Sequence, residues 1–465
     1  MVCRPAVERL NSTMKRRLEF LLVGLCAAAC AVRLVAASPP CRVEVGAYRG
    51  WRALRLANGL VTLEVVPDIG GRVIQFDLGG HPFFFLNPAL AGHVFPPEEN
   101  GGPQGGWKNY GGSKVWPAPQ GWTSDDQWPG PPDPVLDGGR YEGEIVRQDS
   151  NEVAVRLTGP ADPRTGLQFS RVIRLFAGGT RVRLEHRMTN ISARPLRWAI
   201  WEVTQLDTSD GTDPSRPNPR FWAYCPRNPR SVQRRGFLPL FGDVNHPAYQ
   251  PDGEHGVLAV QYLNRVGKVG LDTDAGWLAA ANGQSDHCFV GRFDYVPQAA
   301  YPDGCSVEFW LNGVGEFFLN GLSITNTPAE TPYLMEAEIL SPLVRLAPGQ
   351  DYAFTTEWFA ARCPPPLVRV TDAGVVHQPL AFRRDQDRAD LGGVFGVFYQ
   401  GRAAAVLATA DGKLLGRIDL GAVAPDTVFR LSHPLALPEG TFRASLRVLD
   451  AAGQDRGELD EAVLR

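Results

Sequence analysis

Residues 60–78 read LVTLEVVPDIGGRVIQFDL. Leu60 to Val66 alternates apolar and polar positions with period two, the pattern of a strand with one covered face. Pro67-Asp68-Ile69-Gly70-Gly71 supplies turn chemistry, and Arg72 to Leu78 resumes the alternation as a returning strand. The same reading extends outward to Glu152–Leu157, Leu167–Phe176 and Thr180–Thr189, with Gly178-Gly179 as the hairpin turn between the last two. Further strands are expected at Leu196–Gln205, Val257–Leu263, Trp277–Ala281, Cys288–Tyr295, Ser306–Leu311, Tyr333–Leu340 and Asp351–Phe359. Glycine (50) and proline (39) total 89 of 465 residues, against roughly 56 at average usage. That excess shortens helices and favours strands joined by turns. The fold class is all-β.

Two stretches break the pattern. Residues 87–142 carry Trp107, Trp116, Trp122 and Trp128 with many glycines and prolines and little alternation. Four tryptophans argue against disorder, so this stretch reads as an ordered loop lying over one sheet. The second break is Cys363-Pro364-Pro365-Pro366, because consecutive prolines cannot continue a sheet ladder. All eleven tryptophans precede it. Beyond it, short strands around Val394–Phe398, Ala404–Ala408, Thr427–Leu431 and Thr441–Leu449 fit a small immunoglobulin-like β-sandwich. The expected organisation is therefore a large β domain over 38–363 and a C-terminal β-sandwich domain over 364–465, preceded by a signal peptide over 1–37.

That signal peptide rests on Lys15-Arg16-Arg17, the apolar run Phe20–Val32, and Val35-Ala36-Ala37 before Ser38. The run is too short to span a hydrocarbon core, which takes about 20 residues. Ala27-Ala28-Ala29 before Cys30 is a second cleavage option, with lipoprotein anchoring at Cys30 the minor alternative. The expected location is periplasmic or extracellular, with no membrane span in the mature chain. Lys and Arg number 47 against 50 Asp and Glu, a net charge of −3, which gives no electrostatic support to nucleic-acid binding. Five cysteines follow the signal: Cys41, Cys225, Cys288, Cys305 and Cys363. Their odd number allows at most two bridges, with Cys41 to Cys363 and Cys288 to Cys305 the spacing-based guesses. No CxxC occurs, so neither a structural metal site nor a cofactor is expected. GxSxG, HExxH and P-loop patterns are also absent.

Asn58-Gly59-Leu60 with Pro67-Asp68-Ile69-Gly70-Gly71-Arg72-Val73 resembles the opening hairpin of the galactose-mutarotase-like supersandwich superfamily. The stretch Asn109-Tyr110-Gly111-Gly112-Ser113-Lys114-Val115-Trp116-Pro117-Ala118-Pro119-Gln120 is similar to an uncharacterised bacterial branch of it, whose motif is GGxKxWPAPQ. The likeness continues through Trp128-Pro129, Trp201-Glu202-Val203-Thr204-Gln205 and Glu336-Ala337-Glu338-Ile339-Leu340-Ser341-Pro342, and covers roughly 45–362. It implies a mutarotase-like supersandwich and a sugar ligand, for members are aldose or hexose-phosphate epimerases, sugar-binding domains and parts of lyases and glycosidases.

The resemblance also implies a catalytic base, a glutamate on a late strand, for which Glu336 and Glu338 are the candidates. Their spacing of two places both on one face of a strand. Where the family carries an acid histidine, this chain has Trp201, so the classical mutarotase acid is missing. His246, in a loop rich in proline and glycine, is a candidate replacement because histidine titrates near neutrality. Asp286-His287-Cys288-Phe289 is similar to a mutarotase stretch in which the aspartate holds a sugar hydroxyl. A sugar ring offers an apolar face and a rim of hydroxyls, so its site combines flat aromatics with amides and charges. Trp116 with Lys114, Asn109 and Gln120 supplies that mixture, and Trp128 and Tyr110 form a second wall. With lysine so scarce, Lys108 and Lys114 together suggest an acidic or sulfated sugar. Two further readings stay open: a non-catalytic glycan-binding module with the same pocket, and a structural cell-envelope protein whose tryptophans merely cap the sheet.

Overall fold

The hairpin at 60–78 forms as read. Val61–Val66 pairs antiparallel with Arg72–Leu78, and Gly70 and Gly71 close the turn at φ 81° and 59°. Glycine is required there twice over. Beyond the left-handed backbone, a Cβ at Gly71 would stand 2.6 Å from the Tyr141 ring and one at Gly70 2.0 Å from the Asp137 carbonyl oxygen. The computed structural model describes residues 39–100, 106–319, 322–328, 331–385, 388–435 and 438–464. The signal peptide expected over 1–37, Cys30 included, lies outside them.

The hairpin belongs to a twelve-stranded antiparallel sheet. Its strands run in the order Arg42–Tyr48, Trp51–Ala57, Val61–Val66, Arg72–Leu78, Ser113–Ala118, Leu196–Asp207, Leu334–Leu340, Val307–Leu311, Gly267–Leu271 and Leu238–Gly242, and two short strands pair at the sides. A ten-stranded sheet packs on it, centred on Trp277–Asn282, His287–Phe293, Asp351–Arg362, Val182–Asn190 and Leu167–Phe176. Aromatic side chains from both sheets meet between them. Phe76 lies 6.0 Å from Trp358 and 6.3 Å from Phe289, centroid to centroid. One acid sits in this core. Glu202 accepts from Trp358 Nε1 at 2.7 Å, is bonded by Thr356 Oγ1 and meets His186 Nε2 at 2.6 Å. Burial here is tolerable because each carboxylate oxygen has a donor.

Residues 87–142 are not one loop. Ser113–Ala118 is an interior strand, paired to Leu196–Asp207 through six residues, Trp116 opposite Trp201. It is buried on both faces, which removes the alternation that identifies a half-covered strand. The rest of the stretch is irregular, and Trp128, Asp133 and Asp137 within it are buried.

The C-terminal strands build two four-stranded sheets, one from Arg369–Val370, Gly374–Asp385, Arg388–Val397 and Phe429–Leu435, the other from Leu414–Val423, Gly401–Ala408, Arg443–Asp450 and Asp455–Val463. A separate apolar cluster, including Val376, Phe395, Leu407, Leu446 and Leu459, fills the space between them. Another cluster joins this sandwich to the ten-stranded sheet. Tyr224, Trp277, Val290, Phe359 and Ala361 pack there with Leu367, Val375 and Phe398.

Cys41, Cys225, Cys288, Cys305 and Cys363 are all free, buried thiols. The spacing-based pairings are therefore corrected. Cys41 is hydrogen-bonded to the Leu175 carbonyl and Cys288 to that of Ala361, so neither faces its guessed partner.

Candidate functional site

Register determines which side chains share the outward face of the twelve-stranded sheet. On Leu334–Leu340, Met335, Ala337 and Ile339 enter the core between the sheets, so Glu336 and Glu338 point to the opposite face. Glu338 stands opposite Glu308, and Glu336 opposite Trp310, on the neighbouring Val307–Leu311 strand. Lys268 stands opposite Trp310 from the next strand over. On the other flank Gln205 opposes Glu336 and Val203 opposes Glu338, with Lys114 beyond Val203. Three carboxyls and two ammonium groups thus gather on one face, and all five are buried.

Two linked groups result. In the first, Lys268 Nζ lies 2.6 Å from Glu308 Oε2 and 2.9 Å from Glu338 Oε2. Trp201 Nε1 donates to Glu338 Oε2 at 2.8 Å, and Lys268 Nζ lies 4.6 Å over the Trp201 ring. Glu338 stands opposite Glu308 in the register, and the two carboxyls share the Lys268 ammonium. Burial raises the Glu338 pKa to about 8, Lys268 opposes the rise, and the Glu308 and Glu336 charges reinforce it. Burial also raises Glu308 against the pull of Lys268. The lysine goes up instead: burial lowers it, but the two adjacent carboxylates outweigh that. The chemical content is two neighbouring acids, both raised by burial and pinned by one ammonium.

In the second group, Lys114 Nζ lies 3.5 Å from Glu336 Oε1, which also accepts from Gln205 Nε2 at 2.7 Å. The ammonium sits 4.3 Å over the Trp116 ring and 5.7 Å over that of Trp107. Burial lowers its pKa to about 8 even though Glu336 raises it. Trp116 is buried against Trp128 and Trp201, at 5.0 and 5.4 Å between centroids. Its Nε1 donates to Asp137 Oδ1 at 3.3 Å, and Trp107 Nε1 donates to Asp137 Oδ2 at 2.9 Å. Asp137 also pairs with the buried Arg72 at 2.6 Å, so the cover over this face is tied to the sheet by one carboxylate.

The first group borders a cavity. A cavity of about 260 Å³ is lined by Ala118, Gln120, Trp201, Leu240, Phe241, Lys268, Asp303, Glu308 and Leu340. Glu308 reaches its wall and Glu338 lies directly behind. Among the expected residues, Lys114, Trp116, Trp201, Glu336 and Glu338 are brought together on this face, with Gln120 at the cavity.

The others are placed elsewhere. Tyr110 packs edge-on against Trp51, 6.2 Å away, in a separate cluster at the sheet's other end, because the turn at Gly111-Gly112 carries it off the strand. Asn109 is held at its carbonyl by the Asn87 side chain. Trp128 is wholly buried and donates to Asp133 at 2.7 Å, which makes it support for Trp116 and no wall. His246 packs on Tyr249 with Nδ1 accepting from the Ala248 amide. Among the described residues no hydrogen bond or ion pair joins it to Glu336 or Glu338. Asp286 occupies the left-handed turn after Trp277–Asn282, in the ten-stranded sheet. Lys108 lies over the Phe95 ring at 4.5 Å.

Sequence reasoning missed Glu308, Lys268 and Asp303. A signal existed: Glu308 and Trp310 alternate within the expected 306–311 strand, and Lys268 is one of only five lysines.

Fold and face together describe an all-β chain with an acid–base cluster opening to a small cavity. Residues 52–211 match a family model described as a domain of unknown function, DUF4380. No curated protein matches the sequence. Similar solved structures include a TPR-domain containing protein from Parabacteroides distasonis, at 14% identity and a TM-score of 0.44, over 69% of this chain and 49% of that one. This chain therefore spans about half of that relative's length. Galactose mutarotase-like proteins from Lactobacillus casei and Clostridium acetobutylicum are also similar. The first has 9% identity and a TM-score of 0.41 over 66% of this chain and 99% of its own. The second has 10% identity and a TM-score of 0.41 over 70% and 99%.

Proposed function

We propose that the chain is a carbohydrate-processing protein that holds one sugar ring in the cavity beside Trp201 and Phe241 and moves a proton on it through the Glu308–Glu338 pair. The observation that carries this reading is that pair itself. Two buried acids stand side by side with their pKa values raised by burial, Lys268 fixes both, and one of them reaches a cavity of about 260 Å³. Trp201 and Phe241 offer apolar faces, while Gln120, Glu308 and Lys268 offer groups for hydroxyls. Burial raises Glu308 above the ordinary carboxyl range, and an acid shifted in that direction is better able both to take and to give a proton. Ring opening at the anomeric carbon takes a proton from the anomeric hydroxyl and delivers one to the ring oxygen, and Glu308 is the group positioned to exchange it. In this reading the pair supplies both the acid and the base, with Lys268 beside it. Work on an extracytoplasmic sugar, with export directed by residues 1–37, belongs to the same reading.

The test is anomer exchange, followed by NMR magnetisation transfer over a panel of reducing sugars. Glu308→Gln keeps the shape and removes the base, so the rate should fall by about 10²-fold or more while affinity changes little. Binding without any catalysed exchange or other turnover would select the non-catalytic binding module instead.

A further inference from the structure

The charge of the cavity bears on which sugar it accepts. Both ammonium groups of this face are already engaged, Lys268 by Glu308 and Glu338, Lys114 by Glu336 and two indole rings. Lys108, the other lysine that suggested an acidic sugar, is spent on Phe95. Lys268 is the only basic side chain in the cavity lining, whereas Asp303 and Glu308 are both acidic. With Glu338 beside Glu308, three carboxyls gather around one ammonium, so acidic groups outnumber the basic one. A carboxylate, sulfate or phosphate entering there would meet repulsion from Asp303 and Glu308 and find no free cation.

Asp303 is the second observation. It is exposed at the cavity, and among the described residues its carboxylate has neither an ion-pair partner nor a hydrogen-bond donor. Its backbone is left-handed, φ 53° and ψ 10°, within a tight Pro302–Gly304 turn closed by the Cys305 amide on the Pro302 carbonyl at 2.9 Å. Aspartate is among the non-glycine residues that adopt this conformation most readily. The turn leads directly into Ser306, whose hydroxyl donates to the Thr273 carbonyl at 2.8 Å, and then into the Glu308 strand. The backbone that carries Asp303 is thereby tied to the strand that carries Glu308.

We infer that the preferred ligand is an amino sugar in its ammonium form, the sugar ring beside Trp201 and the ammonium on Asp303, and that sugar acids are excluded. This rests on the carbohydrate reading of the cavity. It is tested with the full chain by titration calorimetry, using glucosamine and galactosamine against glucose, galactose, their N-acetylamino forms and their uronic acids, at a pH that protonates the free amine. An amino sugar should bind about fivefold more tightly than its neutral parent, N-acetylation should abolish that advantage, and the uronic acid should bind weakest. Asp303→Asn tolerates the same backbone and should bring the amino sugar down to the neutral sugar's affinity while leaving the neutral sugar unchanged. Equal binding of amino and neutral sugars, tightest binding by a uronic acid, or an amine preference that survives Asp303→Asn would each overturn this inference alone. Binding of none of the sugars would overturn the carbohydrate reading and this inference with it.

Discussion

Glu338 and Lys114 are neighbours on one face whose titrations move in opposite senses. Burial raises the carboxyl from 4.5 to about 8, Glu308 and Glu336 adding to the rise. Between those values the folded chain binds more protons than the unfolded one. The contribution of Glu338 to stability is thus full below pH 4.5 and lost as pH rises through about 8. Burial lowers the Lys114 ammonium from 10.5 to about 8, so its contribution is present above pH 10.5 and lost as pH falls through about 8. The two place a minimum near pH 8. Scanning calorimetry should show the thermal advantage of the wild type over Glu338→Gln shrinking from pH 5 to 8, and its advantage over Lys114→Met growing from pH 8 to 10. A difference that stays flat with pH in either variant would contradict the corresponding shift. At this scale the sequence went as far as Glu336 and Glu338 sharing a face, since period two is local. It could not show that Glu308 stands beside Glu338, because cross-strand neighbours are a matter of register.

At the scale of elements, the Ser113–Ala118 strand and its cover decide what the site looks like. Its flanks, Gly111-Gly112 and Pro117 to Pro119, carry loop chemistry, and its burial on both faces erased the alternation. The sheet claimed it nonetheless, through six pairs with Leu196–Asp207. The cover depends on Asp137, which holds Arg72, Trp116 and Trp107 at once. Arg72 reaches Asp137 through Nη2, while its Nε and Nη1 have no hydrogen-bond partner, so Asp137→Ala would leave a buried guanidinium uncompensated. A loss of about 3–5 kcal/mol is expected, read from chemical denaturation. An unchanged midpoint would show that the cover is anchored some other way.

For the whole molecule, the C-terminal sandwich covers part of the ten-stranded sheet. Phe359 and Phe398 stack across that junction, 4.3 Å apart and 23° from parallel, and Tyr224, Trp277, Val290 and Ala361 lie in the same cluster. A chain ending at residue 363 would expose this face. Exposed apolar patches of that kind promote association. The truncated chain should therefore self-associate in sedimentation velocity and melt at a lower temperature than the full chain. A monomer with an unchanged midpoint would show the junction to be dispensable and the 38–363 segment self-sufficient.

The sequence by itself determined the all-β class, about half of the strand positions between residues 42 and 362, the glycine turn at 70–71 and the placing of Glu336 with Glu338 on one face. Each depends on backbone conformation within a few residues, and period two, turn residues and left-handed positions are all expressed at that range. Tertiary structure alone decided which face was covered, that Lys114 and Trp116 belong to a strand, and that Lys268 and Glu308 complete the acid pair. It also decided that Tyr110, His246 and Asp286 belong elsewhere. The two faces of a strand are equivalent until another layer packs on one of them. The neighbours of a side chain, and with them its burial, its proton and its charge, are supplied by strands distant in sequence.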